Sequence, residues 1–77
     1  MTATHKIETI HFIQDFIILN IDGNELTISL EKLSNKLKFA TEIERGIYKI
    51  SPSGYGIHWP LIDEDLSIAG ILRDFAK

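Results

Sequence analysis

The chain has 77 residues, 44% hydrophobic and 25% charged, the composition of a folded globular protein with room for a single core. A net charge of −3 gives no general attraction to phosphate backbones or anionic membranes, and the lack of cysteine excludes disulfides, thiol nucleophiles and thiolate metal sites. No apolar run approaches the roughly 20 residues that span a bilayer, and Met1-Thr2-Ala3-Thr4-His5-Lys6 is not a signal-peptide core. The expectation is one domain over residues 1–77, cytoplasmic and without a membrane segment.

Ile7 to Ile13 mixes β-branched and aromatic residues with Glu8, Thr9 and His11 and ends at the polar pair Gln14-Asp15, which predicts a strand and a turn. Phe16-Ile17-Ile18-Leu19-Asn20-Ile21 carries apolar side chains on both faces, as in a central strand covered on each side. Asp22-Gly23-Asn24 tolerates positive φ, and Leu26, Ile28 and Leu30 then alternate with Glu25, Thr27 and Ser29, completing a hairpin.

Ser29 can N-cap a helix in which Leu30, Leu33 and Leu37 share one face at i, i+3 and i+7. Thr41-Glu42-Ile43-Glu44 is a capping box, where hydroxyl and carboxylate satisfy each other's free amides, and Gly46 can close that turn. Ile47 to Ser51 and Gly56 to Trp59 predict a second hairpin around Pro52-Ser53-Gly54-Tyr55. Pro60 removes a ladder donor and ends the strand, and Asp63-Glu64-Asp65 precedes Ile68, Ile71, Leu72 and Phe75 at helical spacing. The predicted fold class is α+β: a small antiparallel sheet formed by two hairpins, with two or three short helices, the last one C-terminal.

Few residues have the chemistry of a site. Asp63-Glu64-Asp65 can hold a hard cation or can serve a helix start, where each acid contributes about 0.3–1 kcal/mol against the exposed amides. The helix entry is the stronger reading, since the spacing of a calcium loop is missing, and no metal is assigned. His5, His11 and His58 are too scattered for a local metal motif. His58 lies between Ile57 and Trp59 on a predicted strand and points to the opposite face, with no nucleophile beside it in sequence. No catalytic residue and no cofactor are therefore assigned, and the lesser reading, a small enzyme or metal-dependent hydrolase, uses His58 with Asp63 or Asp65. Gly54-Tyr55-Gly56 lacks the strand-to-helix context of a phosphate loop. Tyr55 and Trp59 are residue types of binding hot spots, and for Trp59 the core is the stronger reading. The candidate interaction surface is Tyr55, His58, Trp59, Asp63, Glu64 and Asp65.

Tyr48-Lys49-Ile50-Ser51-Pro52-Ser53-Gly54-Tyr55-Gly56-Ile57-His58-Trp59-Pro60-Leu61-Ile62-Asp63-Glu64-Asp65-Leu66-Ser67 resembles the bacterial family known as domain of unknown function 2442. The preceding order of apolar strand, Asp-Gly turn, strand and leucine-bearing helix is similar to that family as well. Many members carry Trp-Pro, then Asn-Gly or Asp-Gly, then Asp-Leu; here Leu61-Ile62-Asp63-Glu64 fills that interval with a longer insert. The resemblance implies a small α+β domain, sometimes fused to a helix-turn-helix region and sometimes encoded beside a small toxin-like protein, with no established catalytic residues. A chain of 77 residues has no room for an added helix-turn-helix domain.

The expected function is a protein-interaction or regulatory module, of antitoxin-like kind, with a protein partner. A core this small gains from a homodimer. The alternative is a dimeric nucleic-acid-binding regulator using Lys32, Lys36 and Lys38, against which the net acidity and the helical, solvent-facing spacing of those lysines weigh.

Overall fold

A computed structural model describes residues 5–76. The chain runs β1 (Ile7–Ile13), β2 (Phe16–Ile21), β3 (Asn24–Ser29), α1 (Leu30–Leu33), α2 (Asn35–Lys38), α3 (Glu42–Gly46), β4 (Lys49–Ile50), β5 (Gly56–Trp59), β6 (Glu64–Ser67) and α4 (Ile68–Phe75). The strands form two antiparallel three-stranded sheets, β1-β2-β3 and β4-β5-β6, called sheets A and B below. The α+β class and the C-terminal helix are as the sequence leads one to expect. The hairpins, however, belong to separate sheets, because the helical segment from Leu30 to Gly46 intervenes between β3 and β4.

Sheet A is laid down by its turns. Asp22 and Gly23 both take positive φ, 53° and 84°, which gives a two-residue turn whose twist matches the strands and sets Ile21 opposite Asn24. From that register Ile17, Leu19 and Ile21 all enter the core, at 0–1% exposure. Among the described residues, the side chains on the opposite face of β2 stand outside the core cluster. Phe16 is 44% exposed and Ile18 and Asn20 are half-buried, so the two-sided apolar pattern is used on one side only.

The segment expected as one helix is broken at Ser34, whose extended backbone separates α1 from α2. Ser29 occupies the N-cap position of α1 without a side-chain cap. It is Ser34 that caps, its Oγ accepting from the Leu37 amide at 3.2 Å, and this restarts the helix one turn on. Leu30 and Leu37 still both reach the core. The Thr41 and Glu44 capping box forms as expected.

The largest departure lies at Asp63-Glu64-Asp65. These acids do not enter a helix. Trp59 pairs with Glu64 and His58 with Asp65 across a tight connection, so residues 64–67 are the third strand of sheet B. Asp63 takes φ 50°, the left-handed conformation that Asp tolerates and that a glycine step would otherwise supply. Alternation then decides: Glu64 and Leu66 share one face, Asp65 and Ser67 the other. Ser67, not an acid, caps α4 by accepting from the Gly70 amide at 3.1 Å.

The core gathers Ile17, Leu19 and Ile21 with Ile28, Leu30, Leu37, Ile57, Trp59, Ile68 and Ile71. Gly54 makes the close contact that joins the sheets. At φ +65°, a Cβ there would lie 1.8 Å from the His5 carbonyl oxygen, so only glycine lets residue 5 pass. The His5 amide donates to Ser53 O, and His5 Nδ1 donates to Asp22 Oδ2 at 2.7 Å.

Candidate functional site

Strand pairing builds one row of side chains across the outer face of sheet B. Lys49 on β4 stands opposite His58 on β5, and His58 stands opposite Asp65 on β6. His58 Nδ1 and Asp65 Oδ1 are 2.7 Å apart. A carboxylate only accepts, so Nδ1 carries the proton and Nε2 is left as the acceptor of the neutral ring. The side chains are 39% and 75% exposed, which keeps the pair in contact with solvent.

A groove of about 650 Å³ takes in this row, together with Pro52, Tyr55 and the neighbouring Ile50–Ile57–Leu66 row. Its wall is made by the loop from Ser51 to Gly56. Ser51 Oγ accepts from the amides of Tyr55 and Gly56 at 3.1 and 2.9 Å, and the Ser51 carbonyl accepts from Gly54 N at 2.8 Å. That knot of bonds pins the loop and holds Tyr55 at the rim, 54% exposed, near Ile50 at 42%.

The two serine hydroxyls lining the groove, those of Ser51 and Ser67, accept from backbone amides, and among the described residues neither is hydrogen-bonded to His58. The arrangement offers a directional hydrogen-bonding pair next to apolar area. Among the described residues no three His, Asp or Glu side chains gather as a metal site, and no helix is long and apolar enough to cross a membrane.

Of the six residues expected on an interaction surface, Tyr55, His58 and Asp65 come together here. Trp59 does not. It is 0% exposed, packed edge-on against Phe12 at 6.4 Å and against Tyr48, with its Nε1 donating to Arg45 O at 3.0 Å. Strand alternation puts it on the face opposite His58, and that face is the core. Glu64 also turns away from the groove, its Oε2 accepting from Ser34 Oγ at 2.5 Å. Asp63 is exposed at the turn, where its carbonyl accepts from Lys36 Nζ at 2.9 Å.

The expected basic cluster is largely engaged at home. Lys36 reaches Asp63, and Lys38 lies 3.9 Å from Glu31 and 5.6 Å from the centre of the Phe39 ring. Only Lys32 among the three has no such contact described, and it is exposed. Lys49 and Ile50 were missed as site residues. Their signal was an exposed, two-residue edge strand, which no periodicity marks.

No curated protein and no solved structure matches the chain at a significant level. A family model does match, over residues 7–77, and it is described as a protein of unknown function, DUF2442. With nearly its whole length covered by that model, the chain belongs to the DUF2442 family.

Proposed function

We propose that the protein is a non-enzymatic, regulatory interaction module that takes an extended segment of a protein partner in the groove on sheet B. The observation that carries this reading is the placement of exposed Ile50 and Tyr55 beside the His58–Asp65 pair on one concave surface. Apolar area gives affinity there, and the paired imidazole gives direction. β4 is an edge strand of sheet B with only two paired residues, so a segment laid along it meets backbone groups as well as side chains. The segment it fits carries an apolar side chain for Ile50, Pro52 and Tyr55 and a hydrogen-bond donor for His58 Nε2. A small toxin-like protein encoded nearby is the kind of partner that the family resemblance implies, and the role is then antitoxin-like.

Co-expression with the product of the neighbouring gene tests this. The partner is expected to co-purify with the wild-type chain and with Lys32→Ala, and to be lost by at least about tenfold with Tyr55→Ala or Ile50→Asp. Equal retention by all four proteins counts against the groove. Loss with Lys32→Ala alone would favour the basic surface and a nucleic-acid role.

A further inference from the structure

Sheet B ends at β4, and each of its two rows of side chains ends there without a neighbour. On the outer row Asp65 is met by His58, while Lys49 beyond them is exposed and, among the described residues, its ammonium has no ion pair. On the inner row Leu66 is half-buried and Ile57 is 1% exposed, yet Ile50, next in line, is 42% exposed. Ile57 has a strand on each side and Ile50 has one.

The backbone is open at the same edge. The Ser51 amide donates to Gly56 O at 3.0 Å, so Ser51 and Lys49, two residues apart, turn their backbone groups toward β5. Ile50 stands between them, and its N–H and C=O point the other way, out of the sheet. Pro52 has no N–H to offer and closes the edge on that side.

We propose that the segment bound on sheet B is an added strand beside β4 that sets a carboxylate opposite Lys49 and, at the adjoining position, a branched apolar side chain opposite Ile50. The inference rests on the groove reading above and adds the charge pattern that the groove selects. The outward groups of Ile50 give the strand its ladder bonds. Directly opposed residues have Cβ atoms about 4.5–5.5 Å apart, which brings the Lys49 ammonium and a Glu or Asp carboxylate into reach of each other. The outer row then has a carboxylate at each end, with imidazole and ammonium between them. The inner row extends Leu66, Ile57 and Ile50 by a fourth apolar side chain.

The lone ammonium also disfavours a second copy of the chain as the occupant. Two β4 strands paired antiparallel about Ile50 set Lys49 opposite Ser51, whose hydroxyl already accepts from the Tyr55 and Gly56 amides. Both lysines are then left without an acid.

Random octapeptides displayed on phage and selected on the immobilised whole chain test this, with wild type, Lys49→Glu and Tyr55→Ala as parallel baits. Wild type is expected to enrich peptides in which Asp or Glu adjoins Val, Ile or Leu, and Lys49→Glu to enrich Lys or Arg at the place of the acid. The leading wild-type peptide, made synthetically, is expected to bind Lys49→Glu at least about threefold more weakly at low salt, and to recover when its acid is exchanged for Lys. Peptides that depend on Tyr55 but lack the acid, or that bind wild type and Lys49→Glu alike, overturn the charge pattern and leave the groove standing. Peptides resembling Lys49-Ile50-Ser51 overturn it in favour of a second copy. No enriched peptide, or peptides indifferent to Tyr55→Ala, overturn the charge pattern and the groove together.

Discussion

The indole Nε1 of Trp59 donates to the backbone carbonyl of Arg45 at 3.0 Å, linking the buried end of β5 to α3. The Arg45 side chain continues outward from that point. Its Nε and Nη2 donate to the carbonyls of Leu37 and Lys38, its Nη1 to Gln14 O, and its guanidinium lies 5.3 Å from the centre of the Phe12 ring. One arginine thus satisfies the open end of α2 and ties it to the β1–β2 turn.

Removing that side chain takes a charged donor from three carbonyls, of which Leu37 O keeps the Ala40 amide at 3.2 Å. Arg45→Ala is expected to destabilise the fold by about 2–3 kcal/mol and Arg45→Lys by most of that amount, since an ammonium cannot reproduce the planar fork. Trp59→Phe keeps much of the apolar area but strands the Arg45 carbonyl, at about 1–3 kcal/mol. Urea unfolding followed by circular dichroism measures all three, and equal midpoints for Arg45→Lys and wild type would contradict the bidentate role.

Ser34 has a similar joining role. Its Oγ accepts from Leu37 N and donates to Glu64, so the break between α1 and α2 is fastened to β6. Ser34→Ala is expected to lower stability by about 1–2 kcal/mol. Ser29→Ala, at an N-cap position without a side-chain bond, is expected to change it by less than about 0.5 kcal/mol. Thermal melts of the two variants side by side check the difference.

Glycine is required at position 54 and not at position 46. Gly54→Ala drives a Cβ into the His5 carbonyl at positive φ and is expected to cost about 2 kcal/mol or more, or to detach residue 5 from the Ser53 loop. A Cβ at Gly46 meets nothing within 4 Å, and Gly46→Ala is expected to be neutral or stabilising by up to about 1 kcal/mol. Hydrogen exchange at the His5 amide distinguishes local detachment from global loss.

The His5–Asp22 pair predicts a pH dependence. The hydrogen bond from His5, followed by that from the Lys6 amide, holds the Asp22 carboxyl below the ordinary aspartate range. A folded pKa lower than the unfolded one means a contribution present above the unfolded value, about pH 4, and lost as pH falls through the lower folded value. Asp22→Asn keeps a residue suited to positive φ but removes the charge. Its stability is expected to fall less between about pH 5 and pH 2 than that of the wild type, and parallel acid profiles would refute the pair's contribution.

Local chemistry was legible wherever it acts over a few residues. The strands from Ile7 to Ser29, the Asp22-Gly23 turn, the capping box at Thr41 and the amphipathic C-terminal helix all follow from patterns in the chain. The acidic run was misread because three carboxylates before an apolar helix face satisfy a helix entry as well as a hairpin return. The pairing of Trp59 with Glu64, which separates the two, is a contact across sheet B and leaves no mark in local spacing. The same pairing dispersed the candidate site, sending Glu64 to Ser34, Asp65 to His58 and Trp59 into the core.

The sequence by itself determined the α+β class, the family and the identity of the turn and cap residues, because φ preferences, hydrogen-bonding side chains and hydrophobic period are properties of neighbouring residues. Tertiary structure alone decided which face of each strand became the inside. It brought Lys49, His58 and Asp65 into one row, closed Gly54 over His5 and, among the described residues, left the Asn20 side-chain oxygen buried without a hydrogen-bond partner. Those outcomes depend on which strands pair and in what register, and a register is chosen by the whole core at once.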